Sequence, residues 1–520
     1  MTTYSTIADG NNASSEGARD MSRTRRRGGK EGHGGQASTI SSIVNLLNTI
    51  IGAGTLAMPS VMSHMGIMLG VVLVLWSGVT AAFGLYLQSK CARYLDRGSS
   101  SFFALSQITY PGASVIFDLA IAIKCFGVGV SYMIIIGDLM PGVMLGFHNR
   151  AAEIPYLVDR YFWITAFMLL VIPLSFLRRL DSLKYTSVVA LVSIGYLIVL
   201  VVYHFAADPH ADPKDIRVIQ WAGAVETLSA LPVVVFAYTC HQNMFSILNE
   251  IKDNSPPRIV GVVASSIGSA ACIYVLVAIT GYITFGNAIV GNIVSMYPTG
   301  VASTIGKAAI VVLVLFSVPL QVHPCRASLD AVLKWRPNRS SSSTGRPGSP
   351  LLNPSAAPRG DHGNTTPMSD TRFALLTTVI LTLAYITALS VSSLDRVLAF
   401  VGSTGSTSIS FILPGLFYYK ISDPESIHHQ RLMKADDDID DEGTSDVEEF
   451  GGILTRSASG ANGTSGATPR TQWRWRRKWR WDLEHLDHGL VRKLSLSLAI
   501  YGMVVMAVCL LMNIFFAVAH

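Results

Sequence analysis

The stretch Asn45–Pro59 reads NLLNTIIGAGTLAMP and places Asn45, Asn48, Gly52, Gly54 and Pro59 inside a strongly apolar run. A helix that only crosses a bilayer gains nothing from residues that weaken helices. In hydrocarbon a freed backbone group costs several kcal/mol, so an unwound helix survives only where it is buried or lines a cavity. Gly52 and Gly54 admit the dihedrals of a break, and Pro59 suits the first turn of a second half-helix. The half-helix starting near Thr55 aims free N–H groups at the membrane centre, where a carboxylate can be held. Carbonyls freed near Ile50 and Ile51 can meet an ammonium group or a cation. Together, Ile50, Ile51, Gly52, Ala53, Gly54 and Thr55 describe a site for a zwitterion. The bland alternative is a small-residue packing face between helices.

Two look-alikes fall away. Gly52–Ala57 matches the dinucleotide pattern GxGxxA, but that pattern needs a preceding strand and a βαβ unit, and here an apolar span surrounds it. Gly300–Ala308 has five residues between its glycines and Ala after Lys307, which is not a phosphate loop.

The elements that position these residues follow from composition. The chain has 520 residues, 50% hydrophobic and only 14% charged, with mean hydropathy +0.41. Soluble chains carry about 25% charged residues. Apolar runs able to cross ~30 Å of hydrocarbon need roughly 20 residues. Eleven occur, near residues 39–62, 67–93, 113–146, 158–177, 182–205, 224–248, 259–285, 302–332, 372–394, 397–419 and 492–519. The fold class is therefore an all-α polytopic membrane protein. Residues 1–38 are polar, rich in Gly, Ser and Arg, and lack the apolar core of a secretory signal. They read as a disordered cytosolic tail ahead of a transmembrane domain over 39–520. Two inserts, 334–371 and 421–489, have no apolar face and also read as disordered. The six cysteines are scattered singly and read as small buried hydrophobes.

Charge sets the orientation. With the N-terminus cytosolic, 33 of the 40 Lys and Arg fall on the cytosolic side. The opposite face takes Arg150, Arg160, Lys214, Arg217, Lys307 and Arg396, and Lys124 lies inside a span. An odd number of spans places His520 on the far side.

A carrier built from inverted repeats breaks again at the first span of its second half. Counting five spans per half, that span is the sixth, ETLSALPVVVFAYTCHQNMFSILNEI. Pro232 disturbs it, and Tyr238-Thr239-Cys240-His241-Gln242-Asn243 is a polar cluster at membrane depth. The expected second half of the site is Phe236, Ala237, Tyr238 and Thr239, with the eleventh span an appendage.

NLLNTIIGAGTLAMP, FAYTCHQNMFSILNEI and GYITFG (Gly281–Gly286) resemble the amino acid/auxin permease family, and more narrowly its fungal vacuolar amino-acid transporters of the Avt type. The resemblance runs through all eleven spans and leaves out the tail and both inserts. It implies a LeuT-like 5+5 inverted repeat with discontinuous helices one and six, and secondary transport of amino acids by alternating access. It also implies a vacuolar membrane. Sodium-coupled members of the family hold a cation with an Asn before the first-helix glycines and a hydroxyl in helix eight. Asn48 and Ser317 match those places, though relatives often carry Thr at the second. An amide and a hydroxyl without a carboxylate make a weak sodium site.

Proton coupling, with export from lumen to cytosol, is the expected mode. A sodium-coupled uptake carrier and an amino-acid sensor signalling through its cytosolic tails are the alternatives. His241, beside the second break, is either a coupling candidate, because an unperturbed imidazole would titrate between an acidic lumen and a neutral cytosol, or a hydrogen-bonded structural residue. Lys124 either faces a central cavity and responds to coupling or donates to carbonyls of a neighbouring span. Trp473–Trp481, WRWRRKWRW, suits an anionic lipid surface rather than nucleic acid, because it stands about ten residues before a span. No cofactor or metal site is expected, since no Cys or His spacing suits one. A membrane enzyme is the rival from another class. Against it, the sequence shows no HExxH, no paired intramembrane aspartates and no Ser/His dyad at one depth.

Overall fold

The computed structural model describes residues 37–95, 98–177, 186–334, 368–432 and 469–519. Long helices dominate it. The first span is two helices, α1 (Thr39–Ile50) and α2 (Ala53–Met65), bent by 53° at Ile51–Gly52. The Ser38 hydroxyl starts α1 by accepting the Ser41 N–H at 3.1 Å. Gly66, with φ of 76°, turns the chain directly into α3 (Ile67–Ala92). There follow α4 (Ser114–Phe147), α5 (Arg160–Ser175) and α6 (Thr186–Ala207). Asp159 caps α5 by accepting the N–H groups of Tyr161 and Phe162.

The next span is α7 (Ala224–Ala237) and α8 (His241–Glu250), interrupted at Tyr238–Cys240. Then come α9 (Pro256–Phe285), α10 (Val301–Lys334) and α11 (Asp370–Ser390). The following span, read from the sequence as one plain helix over 397–419, starts as α12 (Leu394–Val401) and ends as α13 (Leu413–Ile421). Between them, Gly402–Ser406 and Ser408–Ile412 make wide π-helical turns. Gly402 lies so close to the Pro232 carbonyl of α7 that no Cβ fits there.

The last helix, α14, runs from Pro469 to Ala519. It begins inside the stretch 421–489 that composition assigns to an insert. The side chains of Trp473–Trp481, the acidic run before them and residues 1–36 lie outside the described residues.

Among the described residues nine helices are long and apolar enough to cross a membrane, and the bent pair α1–α2 makes a tenth. The apolar helix α5 has 16 residues, shorter than the roughly 20 a span needs. The chain is thus an all-helical integral membrane protein. Val72, Leu75 and Val79 of α3 point outward as a lipid-facing stripe does. Five cysteines are buried and Cys272 is exposed. α2 is buried along nearly its whole length and packs against α7 and α9, which puts both broken helices at the centre.

Candidate substrate site

The two breaks meet. A Cβ on Gly54 would lie 2.6 Å from Ala237 Cβ and 2.9 Å from Ala237 Cα, so only glycine lets α2 approach the end of α7 this closely. In the first break the Ile51 N–H still reaches Leu47 O, and the Thr55 N–H turns back to Gly52 O at 3.0 Å. In the second, the Thr239 N–H reaches back only three residues, to Phe236 O at 3.0 Å. That break sits at Tyr238–Cys240, somewhat later than the Phe236–Thr239 expected from sequence, and Pro232 lies within α7 without ending it.

One side chain holds both breaks. The Tyr274 hydroxyl of α9 is 2.7 Å from Ile50 O and 2.8 Å from Ala237 O, and its ring is fully buried. Its single proton serves two carbonyls that the breaks release from their helices.

Beside this junction lies a cavity of about 410 Å³. Ile50, Ile51, Gly52, Ala53 and Gly54 form one wall, Phe236 and Thr239 another. Asn48, Ser317 and Lys124 also line it, so these ten expected residues come together. Thr55, Ala237, Tyr238 and His241 do not line it. Thr55 and Tyr238 are fully buried, and Tyr238 packs against Gly78 of α3 and edge-on to Tyr274. Ala237 contributes its carbonyl and its contact with Gly54. The His241 ring is buried against α3, where Nε2–H donates to Ala81 O at 3.1 Å.

The remaining polar wall comes from two residues of the polar cluster at the second break and from three that carry no local motif, Tyr132, Ser193 and Gln321. Tyr132 of α4, Ser193 of α6, Gln242 and Asn243 of α8 and Gln321 of α10 all line the cavity. Asn243 Nδ2 donates to Thr49 Oγ1 at 2.9 Å, tying α8 to α1 at the rim. Ser317 Oγ donates to Leu313 O at 2.8 Å. Lys124 is 4% exposed and, among the described residues, is the one charged residue lining the cavity; no described carboxylate lines it. The arrangement offers N–H groups, carbonyls, amides and one basic side chain, chemistry suited to a small charged or zwitterionic solute.

The cavity runs toward the exposed Asn45. The other ends of the broken helices are tied down. His64 Nδ1 of α2 pairs with Glu226 Oε2 of α7 at 3.0 Å. Ser60 Oγ donates to Asp395 Oδ2 of α12 at 2.9 Å, and Arg217 Nη1 donates to Ser63 O at 2.8 Å.

One expectation is corrected here. A Ser/His pair does share a depth: His204 Nε2 is 2.9 Å from Ser303 Oγ, and Nδ1 is 2.8 Å from Asp208 Oδ2. Sequence spacing hides it, because the two residues lie 99 positions apart on α6 and α10. Both are buried, and the imidazole is stacked on Tyr297 at 4.1 Å. Neither lines the cavity.

The sequence pattern of the family described as "transmembrane amino acid transporter protein" matches residues 35–437, which include every residue of the cavity wall. The chain belongs to that family. Vacuolar amino acid transporter 6 of Saccharomyces cerevisiae is 42% identical over 414 residues, covering 74% of this chain and 90% of the relative. Vacuolar amino acid transporter 5 of Schizosaccharomyces pombe is 43% identical over 391 residues, covering 75% and 86%. Among solved structures, the inward-facing conformation of Mhp1 is 11% identical with a TM-score of 0.49, covering 74% of this chain and 77% of that one. The family and these relatives are transporters, not enzymes, so the amino acid transporter described here has no catalytic centre to assign to Ser303 and His204.

Proposed function

We propose that this transporter is a secondary active carrier that moves amino acids from the vacuolar lumen to the cytosol by alternating access, driven by the proton gradient. The observation that carries the reading is the cavity walled by both helix breaks at membrane depth. The substrate carboxylate meets the N–H groups of Gly52, Ala53 and Gly54 at the start of α2, because the Thr55 N–H already donates to Gly52 O. Its ammonium meets the carbonyls at Ile51 and at the second break, because Tyr274 already donates to Ile50 and Ala237. Counting α5 as the fourth span gives eleven, arranged as two inverted halves of five that each begin with a broken helix. α14 is then the appended span, the N-terminus is cytosolic and the C-terminus luminal. On that topology the cavity faces the cytosol and the His64–Glu226 end faces the lumen.

Two observations favour protons over sodium. Asn48 and Ser317 bring only an amide and a hydroxyl, and no carboxylate among the described residues lines the cavity. Lys124 supplies a cation there that can give up a proton when a substrate or a conformational change reaches it. His241, off the cavity, is a helix-packing residue in this account. The membrane is the vacuolar one, as the names of the relatives suggest. The basic, Trp-rich stretch Trp473–Trp481 rests on anionic lipid of the cytosolic leaflet.

The test uses purified protein in sealed liposomes loaded with labelled amino acids, under an imposed proton or sodium gradient. Efflux of a subset of amino acids that follows the proton gradient and is lost in Gly52→Leu supports the carrier. Efflux that follows only sodium overturns the coupling. Binding without flux under either gradient replaces the carrier with a sensor.

A further inference from the structure

A second cavity of about 500 Å³ lies on the opposite face of α4 from the substrate site. That volume falls within the ~300–1,000 Å³ of small-molecule sites. Ile123, Phe126, Gly127 and Val130 of α4 form one wall, and Val397 and Phe400 of α12 form another. Lys124 and Val128 of the same α4 stretch face the substrate cavity instead. The groove opens between α4 and α11 onto the lipid-facing surface, where Leu119, Ile123, Leu383 and Ile386 are exposed.

Its interior is built for hydrocarbon. The hydroxyls of Thr387, Ser390 and Thr404 each donate back to a carbonyl of their own helix. One end is different, because Arg396 lies at the mouth, exposed to solvent, with no ion-pair partner among the described residues. The neighbouring Arg160 is neutralised by Asp138 at 3.2 Å and donates to Val391 O at 3.2 Å. Asp395 turns the other way, toward Ser60.

We infer that this groove is a binding site for one anionic phospholipid, its acyl chain among Phe126, Val130 and Phe400 and its phosphate on Arg396. An apolar slot that ends in a single unpaired cation favours an amphiphile of net negative charge over phosphatidylcholine, whose choline cation offsets its phosphate, and over a soluble anion, which has no acyl chain for the slot. The occupant sits against the helix that presents Lys124 to the substrate. The site is independent of the coupling ion and of the transport direction.

The test is native mass spectrometry of the full-length protein released from nanodiscs of phosphatidylcholine containing phosphatidylglycerol. One phosphatidylglycerol is expected to survive mild delipidation on the wild type. Retention falls about fivefold in Arg396→Gln, the order set by one basic residue at an anionic surface. Val130→Trp, which fills the slot and keeps Arg396, loses the lipid as well; thermal melting of both variants verifies that they fold. Equal retention of phosphatidylcholine by the wild type overturns the inference, as does unchanged phosphatidylglycerol retention in a folded Arg396→Gln. Displacement of the lipid by millimolar glycerol phosphate alone also overturns it, because the acyl chain is then not what holds the ligand.

Discussion

The two ends of the broken helices are built from opposite materials. Toward α1 and α8, which are tied to each other by the Asn243–Thr49 hydrogen bond, the walls carry amides and hydroxyls, Asn45, Asn48, Thr49, Gln242 and Asn243, and the cavity between this pair and α4, α6 and α10 is open. Toward α2 and α7 the same two spans are buried, cross-braced by His64–Glu226, Ser60–Asp395 and Arg217–Ser63. In the alternating-access carrier proposed above, the difference corresponds to a state open at the α1/α8 end and shut at the α2/α7 end. It also locates the hinge, because the Gly54–Ala237 contact and the Tyr274 hydroxyl lie between the two. A ligand shifts such an equilibrium only by binding one state better than the other.

The contrast can be broken first at its hinge. Gly54→Leu pushes a side chain into the backbone of Ala237, an overpacking that reaches or exceeds ~3 kcal/mol, so loss of transport and a lowered melting temperature are expected. Gly52→Ala should leave the melting temperature unchanged, since a Cβ there meets only the Tyr132 hydroxyl at 4.0 Å. Equal damage from the two substitutions would mean that the breaks do not touch as described.

Tyr274→Phe comes next. It leaves the Ile50 and Ala237 carbonyls without their shared donor, a loss of ~1–3 kcal/mol in melting or denaturant experiments. A neutral result would show water or another donor replacing the hydroxyl.

Lys124→Met removes the cavity's one cation. Proton-gradient-driven efflux should fall by about tenfold or more, a change of ~1.4 kcal/mol or above, while counterflow exchange without a gradient persists. Loss of both alike would assign Lys124 to substrate binding rather than coupling.

Glu226→Gln should have the smallest effect. Its pair with His64 is about 40% exposed at both side chains, so it contributes ~0–1 kcal/mol. The expected readout is an increase of at most about fivefold in labelling of a cysteine at Ser63, with stability unchanged.

The fold and one wall of the site were readable because both depend on local chemistry. A glycine pair with a proline inside an apolar run marks a break wherever the chain goes, and Ile50–Gly54 does line the cavity. The second break lacks glycine, and its position came out later than composition suggests. His241 shows what a one-residue step costs: successive helix residues are turned by about 100°. Gln242 and Asn243 therefore reach the cavity while His241 faces α3. Tyr274 and Tyr132 carry no signal at all, since an aromatic residue in an apolar helix looks the same from sequence whether it faces lipid, core or substrate. The His204–Ser303 pair is likewise invisible, because it depends on the relative depth and rotation of two distant helices. The wide turns at Gly402–Ile412 depend on close approach to α7 and were read as ordinary helix.

The account's central claim is that an amino acid binds at the junction of the two breaks and is reached from the α1/α8 end. The most direct measurement places a cysteine at Asn243 in a Cys272→Ser background, where the remaining native cysteines are buried. A membrane-impermeant maleimide is then applied to each side of sealed vesicles, with and without a mixture of amino acids. The account predicts labelling from the side of the N-terminus, slowed by one subset of amino acids, and no such protection in the added variant Gly52→Leu. Labelling from the opposite side, or labelling that no amino acid slows, would contradict it.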